Sequence, residues 1–163
     1  MDFTHRHTFD AGLDKVIELF ANPEFAERRA TLGGSGEGES WIDGTVDGEF
    51  TISIRRVVPA TSIPSEFRSF VGKDLHVRYT EVWQAPTEDD RVGTFAVEIV
   101  GSPGHAAGAL GLTPRGDQTD FLATGEVKVS IPLFGSMVER VIVDAVLKGL
   151  SQELAFADSW LAR

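Results

Sequence analysis

The side chain with the clearest chemical potential is Glu153, which lies on the apolar side of a predicted C-terminal helix. A helical wheel places it with Ile142, Val146 and Gly149, one turn beyond the glycine. A glycine inside a helix costs ~1 kcal/mol relative to alanine, so Gly149 either lets the helix approach a sheet closely or leaves room for a ligand. Beside a ligand, Glu153 would have a raised pKa and could act as an acid or a hydrogen-bond anchor. The alternative, which we favour, is that Glu153 sits at the mouth of a groove and reaches water, since glutamate is seldom fully buried without a partner.

Two histidines form a second candidate constellation. His5 and His7 alternate with Phe3 and Phe9 along a predicted first strand, so all four share one face if the aromatic residues point inward. The two imidazoles could bind a metal, serve as acid and base, or line a cavity, or one or both could sit at the rim of the sheet or hydrogen-bond a neighbouring side chain. A metal would need a third ligand from two other histidines or scattered carboxylates, and we therefore expect no metal site.

Aromatic residues on the later strands stand at alternating positions compatible with one concave face, where they form either core or the walls of a pocket. The Ala- and Gly-rich run 104–112 cannot fill volume itself, so the C-terminal helix must come close to it or a void remains. The candidate ligand-binding set is His5, His7, Trp41, Phe50, Ile52, Tyr79, Trp83, Phe95, Ile142, Val146, Gly149 and Glu153. We expect no catalytic residues and no cofactor, because the sequence holds no nucleophile elbow and no dinucleotide fingerprint.

Arginines on the predicted strands are a further source of polar chemistry. Arg78, Arg91 and the pair Arg55-Arg56 are expected to make surface ion pairs. An arginine that faced inward could instead hold a carboxylate or a phosphate head group.

The elements that must position these residues follow from hydrophobic periodicity and turn signals. We predict a strand, two short helices, about six strands in an antiparallel meander, and a long final helix. Asp10 and Asn22 are the predicted caps of the two short helices, and Ser136 with Glu139 forms a predicted capping box for the last one. The predicted spans are a strand at 3–9, helices at 11–21 and 23–32, strands at 39–43, 46–58, 74–84, 91–100, 105–113 and 119–131, and a helix at 134–163.

Two irregular segments are predicted to border any entrance to the sheet. They are the glycine loop 33–38 and the stretch 63–70, which could form a short helix carrying Phe67 and Phe70. Irregular segments are the parts of a fold that move most readily.

Composition limits the function classes. The chain of 163 residues fits one domain, 1–163, with a sizeable core. Its net charge of −10 argues against nucleic acid and against docking on anionic lipid. The absence of cysteine excludes disulfides and thiol catalysis. We expect a cytoplasmic protein without stable membrane insertion, because neither an apolar leader nor a run of ~20 apolar residues is present.

The order of elements resembles the helix-grip fold of the START and birch-pollen-allergen-like superfamily, also called SRPBCC. More narrowly, the stretch 126–135, Glu139 and the Trp160-Leu161 ending resemble a bacterial family of unknown function within it. The resemblance implies an α+β protein with a curved seven-stranded antiparallel sheet wrapped around a long C-terminal helix. It also implies two short helices after the first strand and a hydrophobic cavity between sheet and helix.

Three functions are compatible with this sequence. The one we favour is binding of a small hydrophobic or amphipathic ligand, such as a lipid or a sterol-like or polyketide-like molecule, under the C-terminal helix. The second is an enzyme of the polyketide cyclase, aromatase or dehydratase type, which would need Glu153 and a histidine buried together. The third is a ligand-free interaction module with a filled core and an exposed apolar patch, for which a homodimer is a possible assembly.

Overall fold

Within the part of the chain that the structure describes, twelve helices, strands and turns follow one another. The computed structural model describes residues 1–32, 37–62, 65, 68–71, 74–102 and 104–163. Its elements are β1 (Asp2–Phe9), α1 (Leu13–Phe20), α2 (Pro23–Thr31), β2 (Gly38–Gly44), β3 (Phe50–Val58), a 3-10 turn (Ala60–Ser62), α3 (Arg68–Val71), β4 (Leu75–Trp83), β5 (Arg91–Ile99), β6 (Gly104–Arg115), β7 (Gln118–Val129) and α4 (Gly135–Leu161).

Within the described residues, seven strands form one sheet in the order β1-β7-β6-β5-β4-β3-β2. All neighbouring pairs are antiparallel, so β2 to β7 form a meander and β1 closes it against β7. The predicted fold class is confirmed: the sheet is combined with two short helices after β1 and a long C-terminal helix.

Helix α4 lies against β7, β1 and α1. Its predicted polar face is confirmed, because Arg140, Asp144, Lys148 and Ser151 are all exposed. The predicted capping box is wrong, since no side chain caps the helix among the described residues. The carboxylate of Glu139 instead accepts a hydrogen bond of 3.1 Å from the backbone N–H of Val129, which ties the start of α4 to the end of β7.

The two short helices differ in how they begin. Asn22 caps α2 as predicted, and its side-chain oxygen accepts from the N–H groups of Glu24 and Phe25 at 2.9 and 3.3 Å. The prediction that Asp10 caps α1 is wrong, because α1 follows Gly12 and has no side-chain cap within the described part of the chain.

The core lies where α1, α2 and the C-terminal half of α4 cover the sheet. Aromatic rings connect these elements: Phe20 stacks on Trp83 with centroids 5.9 Å apart, and Phe25 stacks on Phe156 at 5.7 Å. Phe25 also meets Trp160 edge to face at 5.5 Å. These contacts fill one end of the space beneath α4.

Glycines in the central strands make room for aromatic rings. A Cβ added at Gly108 would lie 2.8 Å from the ring of Phe95, and one at Gly125 would lie 2.7 Å from Phe95 and 2.8 Å from Phe3. The glycines at these two positions therefore accommodate Phe3 and Phe95, whereas a Cβ added at Gly104 would lie 3.7 Å from Ile142 of α4.

Two predicted features fall partly outside the described residues. These are the glycine loop, of which residues 33–36 are not described, and the segment 63–70, of which 63–64 and 66–67 are not described. In the parts that are described, no helix is long and apolar enough to cross a membrane.

Candidate functional site

A buried ion pair links helix α2 to strand β4. The side chains of Arg29 and Glu81 are only 3% and 5% exposed. The Arg29 guanidinium donates twice to the Glu81 carboxylate, from Nη2 to Oε1 at 2.6 Å and from Nη1 to Oε2 at 3.4 Å. Arg29 is buried because it follows Phe25 and Ala26 on the apolar side of α2. A charge in this position requires a partner, since an unpaired buried charge is very costly.

Two neighbours on β4 complete the shell of Glu81. The hydroxyl of Tyr79 donates to Oε1 at 2.5 Å, and the indole N–H of Trp83 donates to Oε2 at 3.0 Å. Tyr79, Glu81 and Trp83 are two residues apart, so they point to the same face of the strand. The carboxylate of Glu81 is thus fully committed to hydrogen bonds within the protein.

Glu153 extends this arrangement from helix α4. Its Oε2 accepts from Nη2 of Arg29 at 3.2 Å, and its Oε1 accepts from Nη2 of Arg56 on β3. Its side chain is only 14% exposed. The expectation that Glu153 reaches water at the mouth of a groove is therefore wrong, because two arginines from distant elements compensate its burial.

The charges of this cluster decide its protonation. Burial by itself would raise the pKa of Glu153, but Arg29 and Arg56 outweigh it and hold that pKa below the usual range. This overturns the raised pKa predicted for a carboxylate in an apolar cavity. Burial would lower the pKa of Arg29, yet Glu81, Glu153 and Tyr79 raise it well above its usual value. Burial and the charge of Glu81 raise the pKa of Tyr79, which keeps its phenol protonated.

These contacts define what we call the Arg–Glu network. Two arginines and two glutamates make its formal charge zero, and the two aromatic donors add none. Its members are Arg29, Arg56, Tyr79, Glu81, Trp83 and Glu153.

A pocket of about 360 Å³ lies between α4 and the concave face of the sheet, next to this network. Of its described lining residues, four bear polar side chains: Arg56, Tyr79, Glu153 and Ser102. The apolar lining consists of Phe3, Val58, Leu75, Val77, Phe95, Val97, Ile99, Leu110, Ala123, Val129, Ile131, Val138, Val141, Ile142, Ala145, Val146, Gly149 and Leu150. The pocket is thus an apolar space whose wall includes three members of the network.

Gly149 borders open space, which separates the two explanations for a glycine at this position. A Cβ built on Gly149 would have no described atom within 4 Å apart from the helix's own backbone. The helix therefore does not use Gly149 to approach the sheet closely. The glycine widens the pocket one turn before Glu153.

The structure brings half of the predicted ligand-binding residues to the pocket and places the others elsewhere. Tyr79, Phe95, Ile142, Val146, Gly149 and Glu153 line it. Phe50, Ile52 and Trp83 also point inward but are at most 1% exposed in the filled core.

Trp41 lies on the outer face of the sheet and is 48% exposed. The cause is strand register. Ile42 pairs with Ile52, and both face inward. Trp41 and its partner Ser53 are the next residues along their strands, so they face outward. The guanidinium of Arg55 covers its ring at 5.1 Å from the centroid.

The two histidines share the inner face of β1 as predicted, but neither is among the described residues that line the pocket. His7 contacts Asp158 of α4, with Nε2 3.0 Å from Oδ2. Burial and the neighbouring His7 lower the pKa of His5. Within the described residues, no three His, Cys, Asp or Glu side chains form a cluster suited to a metal ion.

Sequence reasoning found Tyr79 and Glu153 but missed Arg29, Glu81 and the inward direction of Arg56. Glu81 could have been found, because it lies between the two aromatic residues of β4 already assigned to the concave face. Arg56 could have been assigned inward from the alternation with Ile52 and Ile54. The expectation of a surface ion pair is also wrong for Arg91, which is 3% exposed and donates to the carbonyls of Val46 and Gly48 at 2.8 and 2.7 Å.

Residues 4–161 match a family described as "Protein of unknown function (DUF2505)". The chain belongs to this family. No curated protein matches the sequence of this DUF2505 protein.

Solved structures share the fold of the DUF2505 protein at low sequence identity. The protein TTHA0849 from Thermus thermophilus has a TM-score of 0.67 at 14% identity and covers 99% of this chain and 97% of its own. The Zhui aromatase/cyclase from a Streptomyces species has a TM-score of 0.63 at 13% identity, and the match covers 100% of this chain and 94% of the aromatase/cyclase. Norcoclaurine synthase from Thalictrum flavum has a TM-score of 0.57 at 15% identity, and the match covers 100% of this chain and 87% of the synthase. These likenesses establish a helix-grip-like fold.

Proposed function

We propose that this DUF2505 protein binds a small, mainly apolar molecule in the pocket beneath α4. The observation that carries the proposal is the apolar pocket of about 360 Å³ whose wall includes three members of the Arg–Glu network. Ligand pockets commonly measure ~300–1,000 Å³ and combine apolar walls with a few polar groups that orient the ligand. The apolar lining would supply affinity at ~25 cal/mol per Å² buried, before the costs of association are subtracted.

The helix-grip-like fold supports placing the protein in the START and birch-pollen-allergen-like superfamily, as the sequence resemblance implies. Two proteins that share the fold are named as an aromatase/cyclase and a synthase. A shared fold alone does not transfer their activities. A cytoplasmic location and a homodimer remain predictions.

The arrangement of titratable groups favours binding over catalysis. The enzyme alternative requires Glu153 and a histidine to converge in the cavity, but His5 and His7 are not among the described lining residues. Glu153 is held ionised by two arginines, which does not suit a proton donor. The pocket also counts against the alternative of a ligand-free module with a filled core.

A thermal-shift screen of lipids and polyketides on the wild type and two variants would test the proposal. Gly149→Leu inserts a side chain into the pocket, and Lys148→Leu adds the same side chain on the exposed face of the helix. A ligand at a free concentration of about 100 times its Kd stabilises the folded protein by ~2.7 kcal/mol. This raises the Tm of a chain of this size by about 5–10 °C.

We expect hits to stabilise the wild type and Lys148→Leu and to lose their effect on Gly149→Leu. Hits that stabilise all three proteins equally would show binding elsewhere. A screen without hits, together with the absence of a co-purified small molecule in native mass spectrometry, would contradict the proposal.

A further inference from the structure

The hydrogen-bonding capacity left at the polar wall of the pocket specifies the head group of the ligand. Both carboxylates of the Arg–Glu network are occupied: Glu81 accepts from three side chains, and each oxygen of Glu153 accepts from an arginine. Glu81 therefore has no capacity left for a donor on a ligand, whereas Glu153 keeps one lone pair on each oxygen. A ligand whose head group offers only N–H donors would find these acceptors of Glu153 beside two arginines, whose charge repels a cationic donor.

Donors, by contrast, remain available. Arg56 donates from Nη2 to Glu153, its Nε is buried without a partner, and its Nη1 has no hydrogen bond to the described residues, so Nη1 is the donor left for a ligand. A guanidinium carries five N–H donors, and Arg56 contributes directly to the pocket wall. A hydrogen-bond acceptor on the ligand would find its partner at Arg56.

Tyr79 adds a single acceptor. Its hydroxyl proton is committed to Glu81, so the phenol oxygen can only accept from a ligand. In the β3–β4 register, Arg56 pairs with Val77 and Tyr79 with Ile54, which makes Arg56 and Tyr79 diagonal neighbours on one face, typically ~7–8 Å apart. Long side chains can bridge this distance, so one hydroxyl could accept from Arg56 and donate to Tyr79.

Electrostatics selects against a charged head group. The network already balances two positive with two negative charges. An anion beside Arg56 would also face Glu153, whose repulsion opposes the attraction of the arginine. A cation would be attracted by Glu153 and repelled by Arg56. Neither charge would recover the hydration that it loses on entering an apolar pocket.

We infer that the pocket accepts an uncharged amphipathic molecule whose hydroxyl or carbonyl oxygen binds Arg56, with its apolar part beneath the N-terminal half of α4. This inference rests on the proposed function and adds the chemical class of the ligand. At ~30 Å³ for each water-sized volume, about 360 Å³ holds roughly twelve such volumes, which suits a probe of about eleven non-hydrogen atoms.

The test is isothermal titration calorimetry at pH 7.5 with decan-1-ol, decanoate and decylammonium, which share one chain and differ in the charge of the head group. We expect the alcohol to bind at least about tenfold more tightly than either ion, because an ion that enters the pocket loses hydration that the charge-balanced network does not replace. Arg56→Lys keeps the positive charge beside Glu153 but removes the spare donors, and it should weaken binding of the alcohol about fivefold or more. Arg55→Lys, on the outer face of the same strand, should leave it unchanged.

Decanoate or decylammonium binding as tightly as the alcohol would overturn the inference, as would an alcohol affinity unaffected by Arg56→Lys. If such binding still disappears in Gly149→Leu, the pocket function stands and only the head group is wrong. No measurable binding of any probe to the wild type would count against both proposals.

Discussion

Removing the guanidinium of Arg29 should expose how strongly the Arg–Glu network depends on internal charge balance. The substitution Arg29→Met keeps most of the side-chain volume and deletes the charge. It withdraws two hydrogen bonds from Glu81 and one from Glu153, while both carboxylates stay beneath α2 and α4. The network then carries an excess negative charge in a region where Arg29 and Glu81 were almost completely buried.

Breaking a buried ion pair by removing one partner typically costs ~3–5 kcal/mol. For a chain of 163 residues, this corresponds to a fall in Tm of about 6–20 °C. The cost should depend on pH. Loss of Arg29 removes one of the two charges that hold the pKa of Glu153 below its usual range, so that pKa should rise in the folded variant. A higher folded pKa than in the wild type means that ionised Glu153 contributes less stability in the variant at neutral pH, and this difference shrinks as the pH falls and the carboxyls become protonated. The difference between variant and wild type should therefore be smaller at pH 5.0 than at pH 7.5.

The assay is urea unfolding at both pH values, with Arg28→Met as the control. Arg28 precedes Arg29 on α2 but is exposed, and its replacement should change stability by no more than about 0.5 kcal/mol. The reasoning would be refuted if Arg29→Met cost less than about 1 kcal/mol at pH 7.5, in the range of an exposed pair. A cost that did not decrease on acidification would contradict the electrostatic explanation.

Three further predictions concern single positions. Gly149→Ala should raise the free energy of unfolding in urea by up to ~1 kcal/mol, because the added methyl group enters open space and alanine favours the helix. Gly125→Ala should instead lower the free energy of unfolding by ~1–3 kcal/mol, because its Cβ meets two phenylalanine rings. An unchanged or lower stability of Gly149→Ala would argue against the pocket. Because the folded pKa of Glu153 is lowered, its ionised form stabilises fully above the usual value of 4.5, and this contribution is lost as pH falls through the folded pKa. Acid unfolding of Glu153→Gln should therefore be shallower than that of the wild type, and parallel curves would contradict this. Asn22→Ala should cost ~0.5–2 kcal/mol in thermal unfolding through the loss of the α2 cap, and a cost near zero would show that the cap is dispensable.

Features that depend on near neighbours in sequence were largely predictable. Strand positions followed from alternation, and the Asn22 cap followed from hydrogen bonds to residues two and three positions later. The two failed caps show the limit of this approach. Asp10 lies two residues before Gly12, the N-cap position of α1, and Glu139 accepts a hydrogen bond from the backbone of Val129, a group that the end of β7 brings to it.

Glu153 shows the same limit within the candidate site. Its place on the inner side of α4 was evident from the wheel, but its burial and lowered pKa depend on Arg29, 124 residues earlier, and on Arg56, 97 residues earlier. Nothing in the local sequence indicates which distant side chain will compensate a charge. That choice is made when α2, β3, β4 and α4 pack together.

The sequence alone therefore determined the order of the elements and, for most residues, the face that each side chain presents. This is because helical and strand periodicities act over a few residues. Tertiary structure decided that the space beneath α4 is filled at the aromatic end and open beside Gly149, and that the charge of Glu153 is compensated by two arginines instead of by water. Those outcomes depend on how closely the helix approaches a curved sheet and on which charges meet across that distance, and no local pattern encodes either.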